Sequence, residues 1–175
     1  MSTQDVARAV ERREDERFIT GKGCFVDDVV RPGMLHAMIV RSAYACAAIR
    51  SVDVSAARSA PGVFAVLGPD ELRDKLQPIP MSEFTRLQGQ DRFLQKPLAV
   101  ERTVYVGEPV AVVLAKSRYL AEDAAGLIEI DYEYLDPVVD MDAAVRDELL
   151  VHPAVGTNVA SQDVVRKGDV EAAFA

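Results

Sequence analysis

The sequence predicts an α+β domain in which short helices alternate with strands of a mixed sheet. Three segments carry this prediction. The apolar run Val110–Ala115 has the length and composition of a buried strand. Residues 128–134 place apolar or aromatic residues at even positions and acidic residues at odd positions, which is the period of a half-buried strand. Between them, the alanine-rich segment 118–125 follows Ser117, a favourable helix N-cap.

The remaining elements follow from the same rules of periodicity, capping and turn composition. The first half of the chain predicts a short surface helix near 12–16, a buried strand at 35–40, a half-buried strand at 48–54, a short helix capped by Ser55, a buried strand at 63–67 and a helix at 68–72. The second half predicts a long surface loop at 77–97, a strand at 103–106, a helix near 141–146, a strand near 162–166 and a helix from Asp169.

Composition indicates a folded, water-soluble protein. Hydrophobic residues make up 49% and charged residues 27% of the 175 residues, a mixture typical of globular domains. The sequence contains no apolar run of the roughly 20 residues that cross a bilayer and no secretory signal. Its two cysteines, Cys24 and Cys46, are too few for a disulfide framework. We therefore expect a cytoplasmic protein with reduced thiols and no membrane partner.

Charge excludes nucleic acid as an expected partner. The net charge is −8, and residues 101–175 carry fifteen Asp and Glu against six Lys and Arg. This segment would repel a phosphate backbone, and the rest of the chain offers no basic stripe.

Candidate chemical groups do not converge in the sequence. The segment Gly21-Lys22-Gly23 lacks the glycine spacing of a dinucleotide or Walker-type loop, so it predicts a turn. The carboxylates of Glu129, Asp131 and Glu133 project in parallel from one strand, which favours a solvated face over a cation site. The two histidines, at positions 36 and 152, are far apart in sequence. We assign no catalytic, cofactor-binding or metal-binding residue to this chain.

Five segments, taken in order, resemble the molybdenum-binding large subunit of the xanthine dehydrogenase, aldehyde oxidase and CO dehydrogenase family. They are Arg13–Asp28, Pro32–Asp53, Ala60–Leu67, Tyr105–Val113 and the ending that contains Gly156–Asn158 and Gly168–Phe174. The segment Ala43–Ala48 departs from the family, which commonly has a histidine where Cys46 stands. The resemblance implies the N-terminal α/β-hammerhead domain of that subunit.

The resemblance also implies where catalysis takes place. In the family, the molybdopterin cofactor and a catalytic glutamate lie in later domains, the [2Fe-2S] clusters lie in a small subunit or an N-terminal region, and FAD, where used, lies in a third part. We expect none of these cofactors on this chain and no activity from it alone. The parent reaction would be oxidation of an aldehyde, a purine or other N-heterocycle, or CO.

The same resemblance predicts three regions. Residues 1–30 are an N-terminal extension, 31–150 form the hammerhead domain, and 151–175 lead toward the molybdopterin-binding domains. Met1 is typical of a native start, and the chain is expected to be one piece of a split large subunit or a shortened form of one. The alternative from another functional class is a free-standing binding module that kept the fold.

The turn at Gly107, Glu108 and Pro109 has two interpretations that can coexist. It is a tight strand-to-strand turn, or it contacts the cofactor-bearing domains. The expected partners are a molybdopterin-binding polypeptide, iron–sulfur and flavin subunits, or a second copy of the chain in a homodimer. We further expect an exposed apolar surface, with strand 110–114 as the contact if it lies at a sheet edge.

Overall fold

The computed structural model describes residues 12–80, 89–165 and 167–174. The chain divides into a small N-terminal unit that ends at Met34 and a larger unit that begins at Leu35. In the small unit, helix α1 spans Asp15–Ile19 and a single 3-10 turn spans Val26–Asp28. The rings of Phe18 and Phe25 stack with centroids 5.5 Å apart. The predicted surface helix is therefore present, about three residues later than expected.

Within its described residues, the larger unit contains six strands, five α-helices and a 3-10 turn at Gln90–Phe93. The strands are β1 (His36–Arg41), β2 (Ala47–Asp53), β3 (Val63–Leu67), β4 (Arg102–Thr103), β5 (Pro109–Ala115) and β6 (Glu129–Tyr134). The helices are α2 (Ser55–Ser59), α3 (Pro69–Leu72), α4 (Arg118–Ala125), α5 (Met141–Val145) and α6 (Val170–Phe174). Short helices thus alternate with strands, and the predicted α+β class is confirmed.

The strands divide between two three-stranded sheets, in which all described pairs are antiparallel. One sheet has the order β1-β5-β3, and the other has the order β4-β2-β6. Strand β5 lies at the centre of its sheet and forms hydrogen bonds on both sides. The prediction that residues 110–114 could offer a sheet edge is therefore wrong, because neighbouring strands already occupy both edges of β5.

The hydrophobic core lies between the first sheet and helices α2 and α4. Its buried members are Val54, Ala57, Val66, Val113, Ala115, Ala121 and Ala124. Small residues on α2 and α4 let these helices approach the sheet closely. The predicted Ser117 cap is present, since its hydroxyl accepts the N–H of Leu120 at 3.3 Å. This sheet and its two helices enclose the core of the unit.

Strand β1 is less buried than its apolar sequence predicts. The prediction of a buried strand is only half right, because β1 lies at a sheet edge and Met38 and Ile39 are 38% and 37% exposed. By contrast, the acidic side chains of Glu129, Asp131 and Glu133 are all exposed, as expected of a solvated face.

Three local predictions are corrected by hydrogen bonding or geometry. Ser55 is the first residue of α2 and not its cap, because the carboxylate of Asp53 accepts the Ser55 N–H at 2.8 Å. The strand predicted at 103–106 is reduced to the two residues of β4, since the chain turns after Val104. Residues 162–165 are not a strand, and residue 166 lies outside the described residues.

The cysteines and the helix lengths bear on the expected location of the protein. Cys24 is exposed, Cys46 is buried, and both are free thiols, as expected. Among residues 12–80, 89–165 and 167–174, no helix has the length and apolar character needed to cross a lipid bilayer.

Replacing Gly62 with alanine is expected to lower the free energy of unfolding by about 2 kcal/mol. Gly62 has a φ of +75°, and a Cβ atom there would lie 2.6 Å from Cδ1 of Leu120, which packs against the core. The control is Gly156→Ala, where φ is +81° but nothing lies within 4 Å of the new atom. Urea denaturation of both variants separates backbone strain from the clash. Equal losses would show that Leu120 moves aside freely.

Candidate functional site

The turn from Tyr105 to Pro109 joins the two sheets, since it links β4 to β5. Gly107 adopts a φ of +88°, which is favourable only for glycine. Its N–H donates to the Ser42 carbonyl at 2.8 Å, and the Ser42 N–H donates to the Glu108 carbonyl at 2.9 Å. These two bonds fasten the turn to the segment between β1 and β2. The predicted strand-to-strand turn is therefore present.

The Glu108 side chain points into the protein, and the residue is only 8% exposed. Its carboxylate accepts the N–H of Val104 at 2.6 Å and is also hydrogen-bonded by the Tyr105 backbone. Burial raises the pKa of Glu108 above its ordinary value, although these N–H groups and the positive charge of Arg102 act in the opposite direction. Glu108 therefore supplies the acceptor that closes the turn after β4.

The rest of the turn is also held by contacts within the chain. The Arg41 guanidinium donates to the Gly107 carbonyl at 2.8 Å. The Pro109 carbonyl accepts the N–H of Ala99 at 2.8 Å. Pro109 has no N–H of its own and begins β5. These bonds give the three predicted residues a structural role, and an interdomain contact by them stays a prediction.

Tyr105 and Val106 are the side chains of this turn that face solvent. They are 41% and 64% exposed. Sequence reasoning singled out the glycine, glutamate and proline because those residue types mark turns. The available signal for Tyr105 and Val106 is their apolar character, which also fits the strand predicted at 103–106. Tyr105 and Val106 therefore give this turn two exposed apolar side chains.

Cys46 lies next to a positive charge. The residue is only 8% exposed, and Nη2 of Arg102 donates to its Sγ at 3.1 Å. Arg102 is on β4 and Cys46 immediately precedes β2, so this contact joins neighbouring strands. The residue that departs from the family pattern is thus an internal packing residue.

The two histidines are separated in the fold as they are in sequence. His36 begins β1, whereas His152 lies beyond α5 with its ring 5.9 Å from that of Phe93 in an edge-on arrangement. Burial, followed by the nearby Arg102 charge, lowers the pKa of His152. Within residues 12–80, 89–165 and 167–174, His, Cys, Asp and Glu side chains do not cluster in threes as metal ligands.

A cavity of about 300 Å³ lies beside the turn. Its lining includes Arg73, Lys96 and Arg102 together with Glu101 and Glu108. Arg73 is paired with Glu101 at 3.3 Å, and Arg102 is engaged by Cys46. Glu101 and Glu108 offset part of the positive charge of this lining, while Nε of Arg102 is buried without a hydrogen-bond partner among the described residues.

Comparison with known proteins assigns this arrangement to a family. The family profile described as "Aldehyde oxidase and xanthine dehydrogenase, a/b hammerhead domain" matches residues 20–136. This match includes both sheets and helices α2 to α4.

Individual relatives agree with the family match. Over 97% of its length, the chain is 37% identical to the 6-hydroxypseudooxynicotine dehydrogenase complex subunit gamma of Paenarthrobacter nicotinovorans, and it spans 22% of that protein. Over 74% of its length, it is 45% identical to the carbon monoxide dehydrogenase large chain of Afipia carboxidovorans, and it spans 15% of that protein.

A solved structure, of a Cu,Mo-CO dehydrogenase in the carbon monoxide reduced state, superimposes with a TM-score of 0.65 and 38% identity. The superposition covers 81% of this chain and 18% of that one. In all three comparisons, the chain corresponds to less than a quarter of a much longer polypeptide.

Proposed function

Because the chain belongs to the aldehyde oxidase and xanthine dehydrogenase family through its a/b hammerhead domain, we propose that it is a structural part of a molybdenum-dependent oxidoreductase. The observation that carries this proposal is that the match covers nearly all of this chain but only a small part of its relative. Nearly the whole chain aligns with the P. nicotinovorans subunit, but it accounts for only 22% of that subunit. The chain would support the fold of the large subunit and leave catalysis to the remainder.

The chemistry of the described residues supports a non-catalytic role. The buried carboxylate of Glu108 is used to close a turn, and the acidic side chains of β6 are exposed and parallel. The two glutamates in the lining of the cavity beside the turn disfavour an anionic cofactor there, and no reaction step is assigned to residues of this chain. Molybdenum, iron–sulfur and flavin groups would belong to other domains or subunits.

The proposal includes the division of the chain and its partners. Residues 1–30 would be an extension, 31–150 the hammerhead domain, and 151–175 the passage toward the molybdopterin-binding part. The first partner would be that molybdopterin-binding part, and the next would be iron–sulfur and flavin subunits. The name of the P. nicotinovorans relative, a subunit of a dehydrogenase complex, supports a multi-subunit assembly.

A chimaera tests the proposed function. The matching segment of the P. nicotinovorans subunit gamma is replaced by this chain, and the complex is purified from a host that makes the molybdenum cofactor. We expect the chimaera to contain molybdenum and to oxidise 6-hydroxypseudooxynicotine, because the catalytic groups would lie outside the exchanged segment. Elemental analysis and the dehydrogenase rate are the two measurements.

The matched control is the same subunit with the segment deleted, which is expected to lose both molybdenum and activity. A folded chimaera without molybdenum would contradict the proposal. It would instead favour a free-standing binding module that shares the fold.

A further inference from the structure

Strand β5 has the composition of a strand that is covered on both faces. All seven of its residues, Pro109–Ala115, are apolar. An antiparallel strand with one solvated face normally alternates apolar and polar residues, as β6 does. One face of β5 is accounted for, because Val113 and Ala115 are fully buried in the core beneath α2 and α4.

The opposite face of this sheet is apolar across all three strands. Residues that pair across neighbouring antiparallel strands point to the same face. The pairing places Ile39 and Leu67 on either side of Val112, and it places Ala37 and Ala65 on either side of Leu114. We call these six residues the outer face. None of them has a polar side chain.

The outer face is partly open to solvent. Ile39 is 37% exposed, Ala37 is exposed, and the other four residues are half-buried although they lie within the sheet. In the larger unit, the helices that pack on these strands, α2 and α4, lie on the opposite face, where the core residues are. Val110, on the same side of β5 as Val112 and Leu114, is fully buried, so the outer face is covered at that end. The remaining apolar side chains, with α2 and α4 on the other face, favour a surface that is buried in a larger assembly.

We infer that the outer face is the surface on which the remainder of the large subunit docks, so that β5 is buried on both faces in the complete protein. This inference rests on the proposed function. The remainder of the large subunit is the occupant, because more than three quarters of each relative lies outside the segment that this chain matches. That polypeptide would also cover the exposed Tyr105 and Val106 if it extended beyond the sheet.

A second copy of the chain fits the outer face less well. Two copies would bring together net charges of −8 each, since the −9 carried by residues 101–175 accounts for the whole excess. In a two-fold dimer these like charges oppose association.

Thiol labelling tests the inference on the free chain and on the chimaera with the P. nicotinovorans subunit. The reporter is Ile39→Cys in a Cys24→Ser background, and the control is Asp131→Cys on the exposed face of β6. Labelling by a maleimide is followed for each cysteine by mass spectrometry of its peptide. Both reporters should react quickly in the free chain. In the chimaera, Ile39→Cys should react at least about tenfold more slowly, and Asp131→Cys should change much less.

The outcomes separate this inference from the proposed function. If the chimaera contains molybdenum but Ile39→Cys reacts as fast as in the free chain, the docking surface is overturned and the proposed function stands. If the chimaera does not assemble, the proposed function fails, and labelling of the free chain then tests whether the outer face is open. There, slow labelling of Ile39→Cys overturns the inference, as does a dimer in sedimentation that Leu114→Asp converts to a monomer. Fast labelling of a monomer supports an open outer face.

Discussion

Replacing Val113 with aspartate is expected to unfold the larger unit, whereas the same change at the adjacent Leu114 leaves it folded. Val113 is fully buried between the sheet and its two helices, so an aspartate there would have neither water nor a partner. An unpaired buried charge costs more than about 4 kcal/mol, which is a large part of the stability of a domain of this size. Leu114 is half-buried on the outer face, where a carboxylate would reach water at a cost of about 1 kcal/mol.

Urea denaturation followed by circular dichroism measures both variants. The pair is closely matched, because the two residues are neighbours on one strand and receive the same side chain. Similar losses in both variants would mean that the outer face is already covered within the free chain. That result would contradict the description of β5 as a strand with one face in the core and the other open to water.

Glu108→Ala is expected to lower the free energy of unfolding by about 2–3 kcal/mol. The substitution removes the acceptor of the Val104 N–H and the partner of the Tyr105 backbone, at a position that is almost fully buried. Glu108→Gln keeps a carbonyl oxygen in the same place and should lose less, about 1 kcal/mol. Thermal and urea denaturation of the two variants measure the difference. An alanine variant as stable as the native chain would exclude this role.

The pH dependence of stability tests the same carboxyl group. Its pKa is raised in the folded chain above the ordinary 4.5, so the folded state holds this proton more tightly than the unfolded state does. The resulting stability is fully present below pH 4.5 and is lost as the pH rises through the higher folded pKa. Glu108→Gln should lack this decline. A native chain and a glutamine variant with parallel pH profiles would contradict the raised pKa.

Glu108→Gln in the chimaera also separates the two interpretations of the turn. Reduced stability with unchanged molybdenum content would exclude a pure docking role for Glu108. A stable variant that fails to assemble would favour the interdomain contact.

Local patterns in the sequence identified most strands and helices, because side-chain periodicity reflects burial directly. The run at β5 and the alternation at β6 are examples. The predicted boundaries were wrong where a side chain accepts a hydrogen bond from a backbone N–H. Asp53 accepts the N–H of Ser55 at the start of α2. Glu108 accepts the N–H of Val104, so the strand predicted at 103–106 is short. Periodicity contains no information about such bonds.

The placement of β5 could not be predicted for a different reason. Its apolar sequence shows that it is buried, but a central strand and an edge strand can have the same composition. The position depends on pairing with β1 and β3, which are distant in sequence. For the candidate site, glycine and proline located the turn, whereas the inward direction of Glu108 could not be predicted, because acidic residues in turns usually face water.

Pairing between β1 and β5 also sets the order in which the chain can fold as it is made. His36 pairs with Ala115, so the ribosome must add 79 residues after His36 before its partner exists. At about 5–20 residues per second, β1 waits roughly 4–16 s with its apolar side chains and backbone edge uncovered. Strand β3 waits for the same partner. A nascent chain of this kind is exposed to aggregation until β5 leaves the ribosome, and chaperone binding at β1 would protect it during that interval.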